Sequence, residues 1–326
     1  MAVYVNTNVS SLNGRRYLNN VQNQLTTTYQ RLSSGLRINS AKDDAAGLQI
    51  SSRLTTQING LNQGNRNTSD GIALAQTIEG AMDEMTGMLQ KIRTLAVQAN
   101  NGTNTADDRT ALSKEATALA QEISRIAQQT RFGGKLVLDG ADGGGGAQPG
   151  AGAVENTIYG KAVAGGAGGQ ADATKGTLTL QVGANKGDTI TFEVLSAKFS
   201  QIAVNGKVAD GDLKKFAEFN QNGGLKSIKL DTKENIELAI ESMDKMIGAI
   251  DSSRAGLGAL QNRLESSIRN QANVSANQSD ARSRIRDADF AEESANLSQQ
   301  SIIQQAATSM LMQANTRPQL GLSLLG

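Results

Sequence analysis

Residues 78–99, IEGAMDEMTGMLQKIRTLAVQA, carry apolar side chains at alternating steps of four and three positions. An apolar residue every three to four positions forms one stripe along a helix, and a heptad stripe needs a partner helix to cover it. The stretch therefore predicts a long helix in a coiled coil rather than a strand of a sheet. The predicted seam consists of Ile78, Met82, Met85, Leu89, Ile92, Ala96 and Ala99.

The same spacing occurs in two other parts of the chain. Upstream, the spacing runs from Leu54 to Ala75. Between Ala75 and Ile78 the heptad register shifts, an irregularity known as a stammer. A single helix over residues 44–99 would be about 84 Å long at 1.5 Å per residue, so the spacing predicts a rod-like element. Nearer the other end of the chain, the candidate seam residues are Ile236, Ile240, Met243 and Ile247.

The composition argues against several classes of function. The 326 residues include 32 Lys and Arg against 31 Asp and Glu, a net charge of +1, which does not favour a nucleic-acid or membrane partner. Without cysteine or histidine the chain has no disulfide framework, no thiol nucleophile and no histidine-dependent hydrolase or zinc motif. The sequence contains no run of about 18 apolar residues, the length that would predict a membrane span. We therefore expect no cofactor, no metal and no enzymatic activity.

The middle of the chain differs from both ends. Residues 139–176 are dominated by glycine and alanine, which cannot build a conventional core. The following residues, GTLTLQVGANKGDTITFEVLS (176–196), alternate as strands do, and NKGD (185–188) is typical of a hairpin turn. Two helical ends are therefore expected to flank a small β-containing insert.

The stretch RLSSGLRINSAKDDAAGLQIS, residues 31–51, places a polar break between two helical segments. It lacks the GxxxxGK[ST] pattern of a phosphate loop, and two adjacent aspartates are too few oxygen ligands for a metal site. We interpret it as a joint, in which Asp43 and Asp44 stand at the start of the second helix, where its dipole favours negative charge. An ion pair between subunits and a ligand site remain alternatives.

The two ends of the chain carry weak apolar stripes surrounded by Asn, Gln, Ser and Thr. The last residues, QLGLSLLG, are rich in leucine, although chain ends are usually polar. Because a soluble monomer normally avoids such a patch, we expect another copy of the chain to cover it. The candidate assembly residues are Leu18, Val21, Leu25, Leu32, Leu297, Ile303, Met310, Leu311, Leu322, Leu324 and Leu325.

Several long motifs resemble the bacterial flagellins. In the first part of the chain they are RLSSGLRINSAKDDAAGLQIS (31–51), LQKIRTLAVQANNGT (89–103) and RFGGKLVLDG (131–140). In the last part they are LGALQNRLESSIRN (257–270), ARSRIRDADFAEESANLSQQSIIQQAATSMLMQAN (281–315) and the terminal LSLLG. The resemblance implies an exported, self-polymerising subunit of the flagellar filament, which serves swimming motility.

The resemblance also implies a fold and a domain organisation. The fold class is mainly α, with long antiparallel coiled-coil helices from both termini forming a rod and a small β-containing, Gly-rich central insert. Residues 1–43 and 277–326 would form an inner terminal coiled coil with spokes, and residues 44–139 with 231–276 a helical rod domain. Residues 140–230 would form a variable outer surface segment.

A second break is expected near the end of the chain, at ARSRIRDADF (281–290). One interpretation of this stretch is a run of charged side chains exposed to solvent, with no structural role. The resemblance implies a return segment that enters the C-terminal helix, with Asp287 and Asp289 near the start of this helix. We favour this interpretation because Phe290 and Leu297 begin an apolar stripe there.

The resemblance implies several partners. They are other subunits of a homopolymer, the flagellar type III export apparatus, an export chaperone on the C-terminal segment, and the filament cap and hook-junction proteins. The expected location is the extracellular filament, with no nucleic acid or membrane partner. The main alternative is a hook–filament junction protein. A protease in the insert would need an HExxH motif, which a chain without histidine cannot contain, and few aromatic residues argue against an adhesin.

Four residues match positions that contact a host Toll-like receptor in some flagellins: Gln90, Lys91, Leu95 and Glu115. This chain has Lys91 where those flagellins have arginine, and the two residues are not interchangeable at a bidentate contact. The alternative interpretation is a solvated helix face beside a leucine of the seam. Both interpretations remain open from the sequence.

Overall fold

The computed structural model describes residues 7–140, Ile158, 175–219 and 225–323. Long helices dominate these residues, and the strands form small antiparallel pairs, which confirms the predicted mainly α class with long helices from both termini. The helices are α1 (Val9–Ser34), α2 (Ala45–Ala99), α3 (Ala106–Gln129), α4 (Phe199–Asn205), α5 (Asp210–Phe216), α6 (Lys233–Arg286) and α7 (Phe290–Ser323). The strands are β1 (Arg131–Phe132), β2 (Lys135–Leu136), β3 (Lys175–Gln181), β4 (Thr189–Leu195), β5 (Ala217–Phe219) and β6 (Leu225–Ile228).

The chain divides into two compact units. Unit 1 comprises Met1–Asn59 and Asn273–Gly326, and unit 2 comprises Gly60–Ala272. Both divisions fall inside long helices, α2 and α6, rather than in loops. The sequence-based boundaries at 43/44 and 276/277 and the separate segment 140–230 stay predictions.

The core of unit 2 is built on the heptad positions of α2 and α6, together with a stripe of α3. Most residues of the predicted seams are buried, whereas Ile240 and Ile247 are only half-buried. Each fully buried Ile, Leu or Met contributes about 1.5–3 kcal/mol, so these stripes hold the helices together. The most completely buried seam residues, all 0% exposed, are Ile78, Met85, Leu89, Ile92, Ala96, Ala99, Ile236 and Met243.

Two surface ion pairs show the direction of α6 relative to α2 within unit 2. The Arg93 guanidinium lies 2.5 Å from an Asp244 carboxylate oxygen, and that of Arg254 lies 3.0 Å from Asp83. Rising numbers in α2 meet falling numbers in α6, so the two helices are antiparallel in this unit. Such exposed pairs each contribute only about 0–1 kcal/mol, and they specify register more than stability.

The β3–β4 hairpin forms where the alternating stretch predicts it. The strands pair antiparallel from Lys175↔Leu195 to Gln181↔Thr189. In the NKGD turn, the Asp188 N–H donates to the Asn185 carbonyl oxygen at 3.2 Å. Gly187 has a φ of +97°, a backbone conformation that residues with a side chain rarely adopt. The predicted hairpin and its turn are confirmed.

The hairpin lies against glycines of α2. At Gly64 an added Cβ would stand 2.0 Å from the Val182 carbonyl oxygen, which no side chain permits. Two side-chain amides complete this contact: Asn67 Nδ2 donates to the Gln181 carbonyl oxygen at 2.9 Å and Gln271 Nε2 to that of Val182 at 2.5 Å. Because Gly64 has no side chain, the backbone of the hairpin at Val182 can pack directly against the middle of α2.

The β5–β6 pair packs on α3 through two hydroxyl groups. The Ile228 N–H donates to Thr117 Oγ1 at 2.9 Å, and the Leu230 N–H donates to Ser113 Oγ at 3.1 Å. The α3 helix itself begins at a capping box, in which the Thr105 hydroxyl and N–H both donate to the Asp108 carboxylate. Both bonds lower the pKa of Asp108, and the bond from the Thr105 hydroxyl has the larger effect.

Candidate assembly surface of the terminal helices

In unit 1 the first and last helices pair along their lengths. Low residue numbers in α1 meet high numbers in α7, so the pair is antiparallel. The hydrogen bonds across it are largely polar side-chain contacts rather than backbone ladders. They join Asn8 Nδ2 to the Ala314 carbonyl oxygen at 2.8 Å, Ser11 Oγ to Asn315 Oδ1 at 2.7 Å, Thr28 Oγ1 to Gln300 Oε1 at 3.1 Å, and Arg31 Nη1 to Glu293 Oε1 at 3.0 Å.

Little apolar surface is buried between α1 and α7. Among their described side chains only Val21, Thr28, Glu293 and Ala307 are buried. The Glu293 carboxylate, 9% exposed, pairs with Arg31, which is 33% exposed. Removing one partner of such a pair leaves a desolvated charge, so it specifies register more than it adds stability. The contact between α1 and α7 therefore buries little apolar surface and includes a charged pair.

The predicted joint between α1 and α2 is confirmed. The first helix ends at Gly35, whose φ of +70° and N–H bond to the Arg31 carbonyl oxygen, 2.8 Å long, form a left-handed cap. The Asp43 carboxylate accepts the N–H of Ser40 at 2.8 Å and that of Asn39 at 3.1 Å. Both backbone bonds lower the pKa of Asp43, and the bond from Ser40 has the larger effect.

Asp44 has a similar local role at the start of α2. Its Oδ1 accepts the N–H of Gly47 at 2.9 Å, which satisfies one of the free donors of the first helical turn. Both aspartates of the joint thus bind their own backbone. Among the residues that the structure describes, no group of three or more Asp, Glu, His or Cys side chains could hold a metal ion.

The second break, at residues 281–290, lies where the sequence predicts it. The α6 helix ends at Arg286, and Asp289 Oδ1 accepts the N–H of Ala291 at 2.8 Å at the start of α7. The two breaks touch, because the N–H groups of Arg37 and Ile38 both donate to the Arg286 carbonyl oxygen. Phe290 does not begin a covered apolar stripe as expected, since 60% of it is exposed.

A groove of about 830 Å³ runs between α1 and α7. Its lining includes Tyr17 from the first helix, and Ile303, Ala307 and Met310 from the last. Gly14 forms part of the floor, where Leu311 Cδ1 would lie only 3.1 Å from an added Cβ. A side chain at position 14 would therefore push Leu311 away, and the helices approach closely because it is absent.

The structure places the candidate assembly residues in different environments. Val21 is buried and Met310 is 71% exposed. Leu324 and Leu325 lie outside the described residues, as does the side chain of Leu322. The remaining candidates are half-buried: Leu18, Leu25, Leu32, Leu297, Ile303 and Leu311.

Sequence reasoning included Met310, the most exposed of the described apolar side chains on this pair, but missed several others that are also exposed. They lie off the stripes, so a search for helical periodicity passes over them. One signal was available, because consecutive apolar residues such as Ile302–Ile303 cannot both face the same partner helix. The exposed residues are Val9, Leu12, Tyr17, Tyr29, Ile302 and Met312.

Of the four possible receptor residues, the structure brings two into direct contact. Lys91 Nζ lies 3.1 Å from Glu115 Oε1, and both side chains are exposed. Gln90 is exposed beside them on α2, whereas Leu95 is only 7% exposed and belongs to the core. Three of the four side chains are therefore accessible from outside.

None of the helices described here is long and apolar enough to cross a membrane. The protein is therefore mainly α. Its first and last helices pair with each other through largely polar contacts and leave apolar side chains exposed. Comparison with known proteins identifies the family. The bacterial flagellin N-terminal helical region matches residues 5–142, and the bacterial flagellin C-terminal helical region matches residues 240–325.

Full-length relatives agree with these matches. Polar flagellin C of Vibrio parahaemolyticus is 38% identical over an alignment of 383 positions that covers all of both chains. Flagellin A of Vibrio anguillarum is 40% identical over 378 positions, again covering all of both chains. The chain belongs to the bacterial flagellin family. It is a structural subunit that self-polymerises into the extracellular flagellar filament of swimming motility.

A solved structure shares the fold. A putative flagellar hook-associated protein from Vibrio parahaemolyticus covers 75% of this chain, and 100% of that protein is matched, with a TM-score of 0.54. Its sequence is only 13% identical to this one, so the likeness shows the fold alone. The family matches and the full-length relatives are flagellins, and none of them favours the hook-junction alternative.

Proposed function

We propose that the α1–α7 pair forms the contact through which neighbouring subunits polymerise. The observation that carries the proposal is the set of exposed apolar side chains on a pair with a largely polar interior. Ile302 is 66% exposed and Met312 is 67% exposed, so the isolated chain leaves both apolar side chains in water. A second copy of the chain is the occupant that a self-polymerising protein supplies.

Burial in a lattice would change the balance of free energy for this pair. Ordering the backbone costs about 1–2 kcal/mol per residue, and the buried residues of the isolated pair offset little of that. Each apolar side chain newly covered by a neighbour contributes up to about 1.5–3 kcal/mol. Assembly therefore stabilises the terminal helices cooperatively, since every added subunit covers side chains of the previous ones.

The three-part organisation completes this proposal. Residues 1–43 and 277–326 would form the inner coiled coil of the filament, and 44–139 with 231–276 the helical rod domain. The heptad cores of α2 and α6 support a rod domain that folds before assembly. Residues 140–230 would form the variable outer segment, for which the hairpin and the Gly-rich composition are the support.

The export partners follow from the same features. We propose passage through the flagellar type III export apparatus, an export chaperone that covers α7, and contacts with the filament cap and hook-junction proteins. A chain without cysteine cannot be locked by disulfides, and a weakly buried α1–α7 pair separates readily for passage. The exposed Met310 and Met312 would need a cover before assembly, which a chaperone on the C-terminal segment provides.

We further propose the exposed patch of Gln90, Lys91 and Glu115 as the place where a host Toll-like receptor contacts the subunit. Its support is that α2 and α3 present these side chains together, with Lys91 and Glu115 already paired. Leu95 would act from the core by holding α2 in place, because it is buried. The patch needs no cofactor, and neither does polymerisation; catalysis has no part in this function.

Seeded growth tests the proposed assembly. Purified subunits are mixed with short filament fragments and followed by electron microscopy, with the same subunits lacking seeds as the control. We expect continuous elongation from the fragment ends, because each added pair covers the exposed apolar side chains of its neighbours. Addition of only a few copies, followed by arrest, would instead identify a junction protein.

A further inference from the structure

Two groups of methionines differ sharply in exposure, and Met88, half-buried against the core of unit 2, lies between them. Met82, Met85, Met243 and Met246 are at most 2% exposed in the core of unit 2. By contrast, Met310 and Met312 on α7 are 71% and 67% exposed. The thioether of an exposed methionine is open to oxidants, whereas a close-packed core excludes them.

The two exposed thioethers flank a residue that faces the other terminal helix. Leu311 packs at Gly14 of α1, and the residues on either side of it project about 100° to each side around α7. One of them, Met310, lines the groove with Tyr17 and Ile303. Both methionines thus lie on the surface that we propose for polymerisation.

We infer that Met310 and Met312 are a modification site of the unassembled subunit, at which a hydroperoxide oxidises the thioethers and blocks polymerisation. The inference rests on the proposed role of α1 and α7 in assembly. A sulfur lone pair attacks the terminal peroxide oxygen, the O–O bond breaks and an S–O bond forms. The sulfur is oxidised by two electrons, and hydrogen peroxide is reduced to water.

The chemical change opposes burial. A sulfoxide is polar and chiral, and it carries a strong acceptor oxygen in place of a flexible apolar group. Covering it with a neighbouring subunit leaves that oxygen without its water unless the neighbour offers a donor. Methionine sulfoxide is also reversible, so oxidation halts assembly without destroying the subunit. Once a neighbour covers the thioethers, the filament protects them.

The experiment exposes purified subunits to hydrogen peroxide at a dose that leaves Met88 and the four core methionines unmodified in peptide mass maps. Seeded growth is then measured beside untreated protein. We expect the critical concentration to rise at least about tenfold, corresponding to about 1.4 kcal/mol per subunit. Equal growth of protein oxidised at both positions overturns the inference, whereas failure of the untreated protein overturns the proposed assembly itself.

A matched variant and a repair step complete the test. The double substitution Met310→Leu and Met312→Leu conserves apolar volume and removes both thioethers. We expect it to grow equally well before and after peroxide, and equal inhibition of variant and wild type contradicts the site. Should leucine itself disturb growth, treating oxidised wild type with the two stereospecific sulfoxide reductases is decisive. Restored thioethers without restored growth overturn the inference.

Protection in the filament gives an independent readout. The same peroxide dose is applied to polymerised and to unassembled protein, and oxidation at positions 310 and 312 is compared with that of Met82. We expect at least about tenfold slower oxidation of the two α7 methionines in filaments, because a neighbouring subunit covers them. Equal rates in both states would show that no neighbour covers this surface.

Discussion

A Gly64→Ala variant unfolds at lower denaturant concentration than the wild-type protein, and its β3–β4 hairpin loses contact with α2. The added methyl group would stand 2.0 Å from the Val182 carbonyl oxygen, and a backbone atom cannot rotate away as a side chain does. The same carbonyl accepts the Gln271 amide, so displacement also breaks that bond. We expect a loss of about 1–3 kcal/mol, the usual cost of overpacking a core.

Gly80→Ala is the matched control on the same helix. Nothing lies within 4 Å of the methyl group that it adds, and position 80 is exposed. Alanine is the better helix former and restricts the unfolded chain, so we expect a gain of about 0.5–1 kcal/mol. Urea unfolding followed by circular dichroism gives both values, and hydrogen exchange of the β3–β4 amides locates the damage. Changes of the same sign in both variants would contradict the hairpin contact.

These two glycines show why part of the fold could not be predicted from the sequence. The heptad spacing predicts α2 and α6, because helical periodicity is a local property of the chain. The same reasoning assigns Gly64 and Gly80 an equal cost of about 1 kcal/mol in a helix. Only the structure separates them, since the strand edge that meets Gly64 comes more than a hundred residues later.

The joints were predictable for a similar reason. Glycine after the last turn of a helix and aspartate before the first turn are local signals, and Gly35, Asp44 and Asp289 all act within a few residues of their own positions. The contact between the two joints, through the Arg286 carbonyl oxygen, links residues some 250 positions apart. No local pattern encodes it.

The candidate surface was predicted only in outline. The resemblance implies that α1 and α7 pair, and the stripes were interpreted as surfaces that another copy covers, but they include residues such as Val21 that the chain covers by itself. Apart from Phe290 and Met310, the apolar residues left exposed on α1 and α7 lie off these stripes among polar residues, so a search for periodicity does not find them. Identifying them requires knowing which face of each helix the other occupies.

Replacing two of these exposed residues, Leu12→Ser and Ile302→Ser, raises the subunit concentration needed for filament growth, while the isolated subunit keeps its wild-type fold. Leu12 is 49% exposed and Ile302 66% exposed, so the single chain gains little from either, and exposed substitutions usually change stability by no more than about 0.5 kcal/mol each. A neighbouring subunit that covers both would contribute about 2–4 kcal/mol more for the apolar pair. The critical concentration should therefore rise roughly a hundredfold.

Val204→Ser is the control for this double variant. Val204 is 54% exposed, an apolar side chain as accessible as the other two, but it lies in the segment 140–230 that we propose to face outward. We expect its filaments to grow at the wild-type rate on seeds, with circular dichroism and urea unfolding checked for every variant. Normal growth of the double variant would show that α1 and α7 do not meet a neighbour through these side chains. Arrest by Val204→Ser alone would instead place the subunit contact in the central segment, because the loss of one exposed methyl pair matters only where another chain covers it.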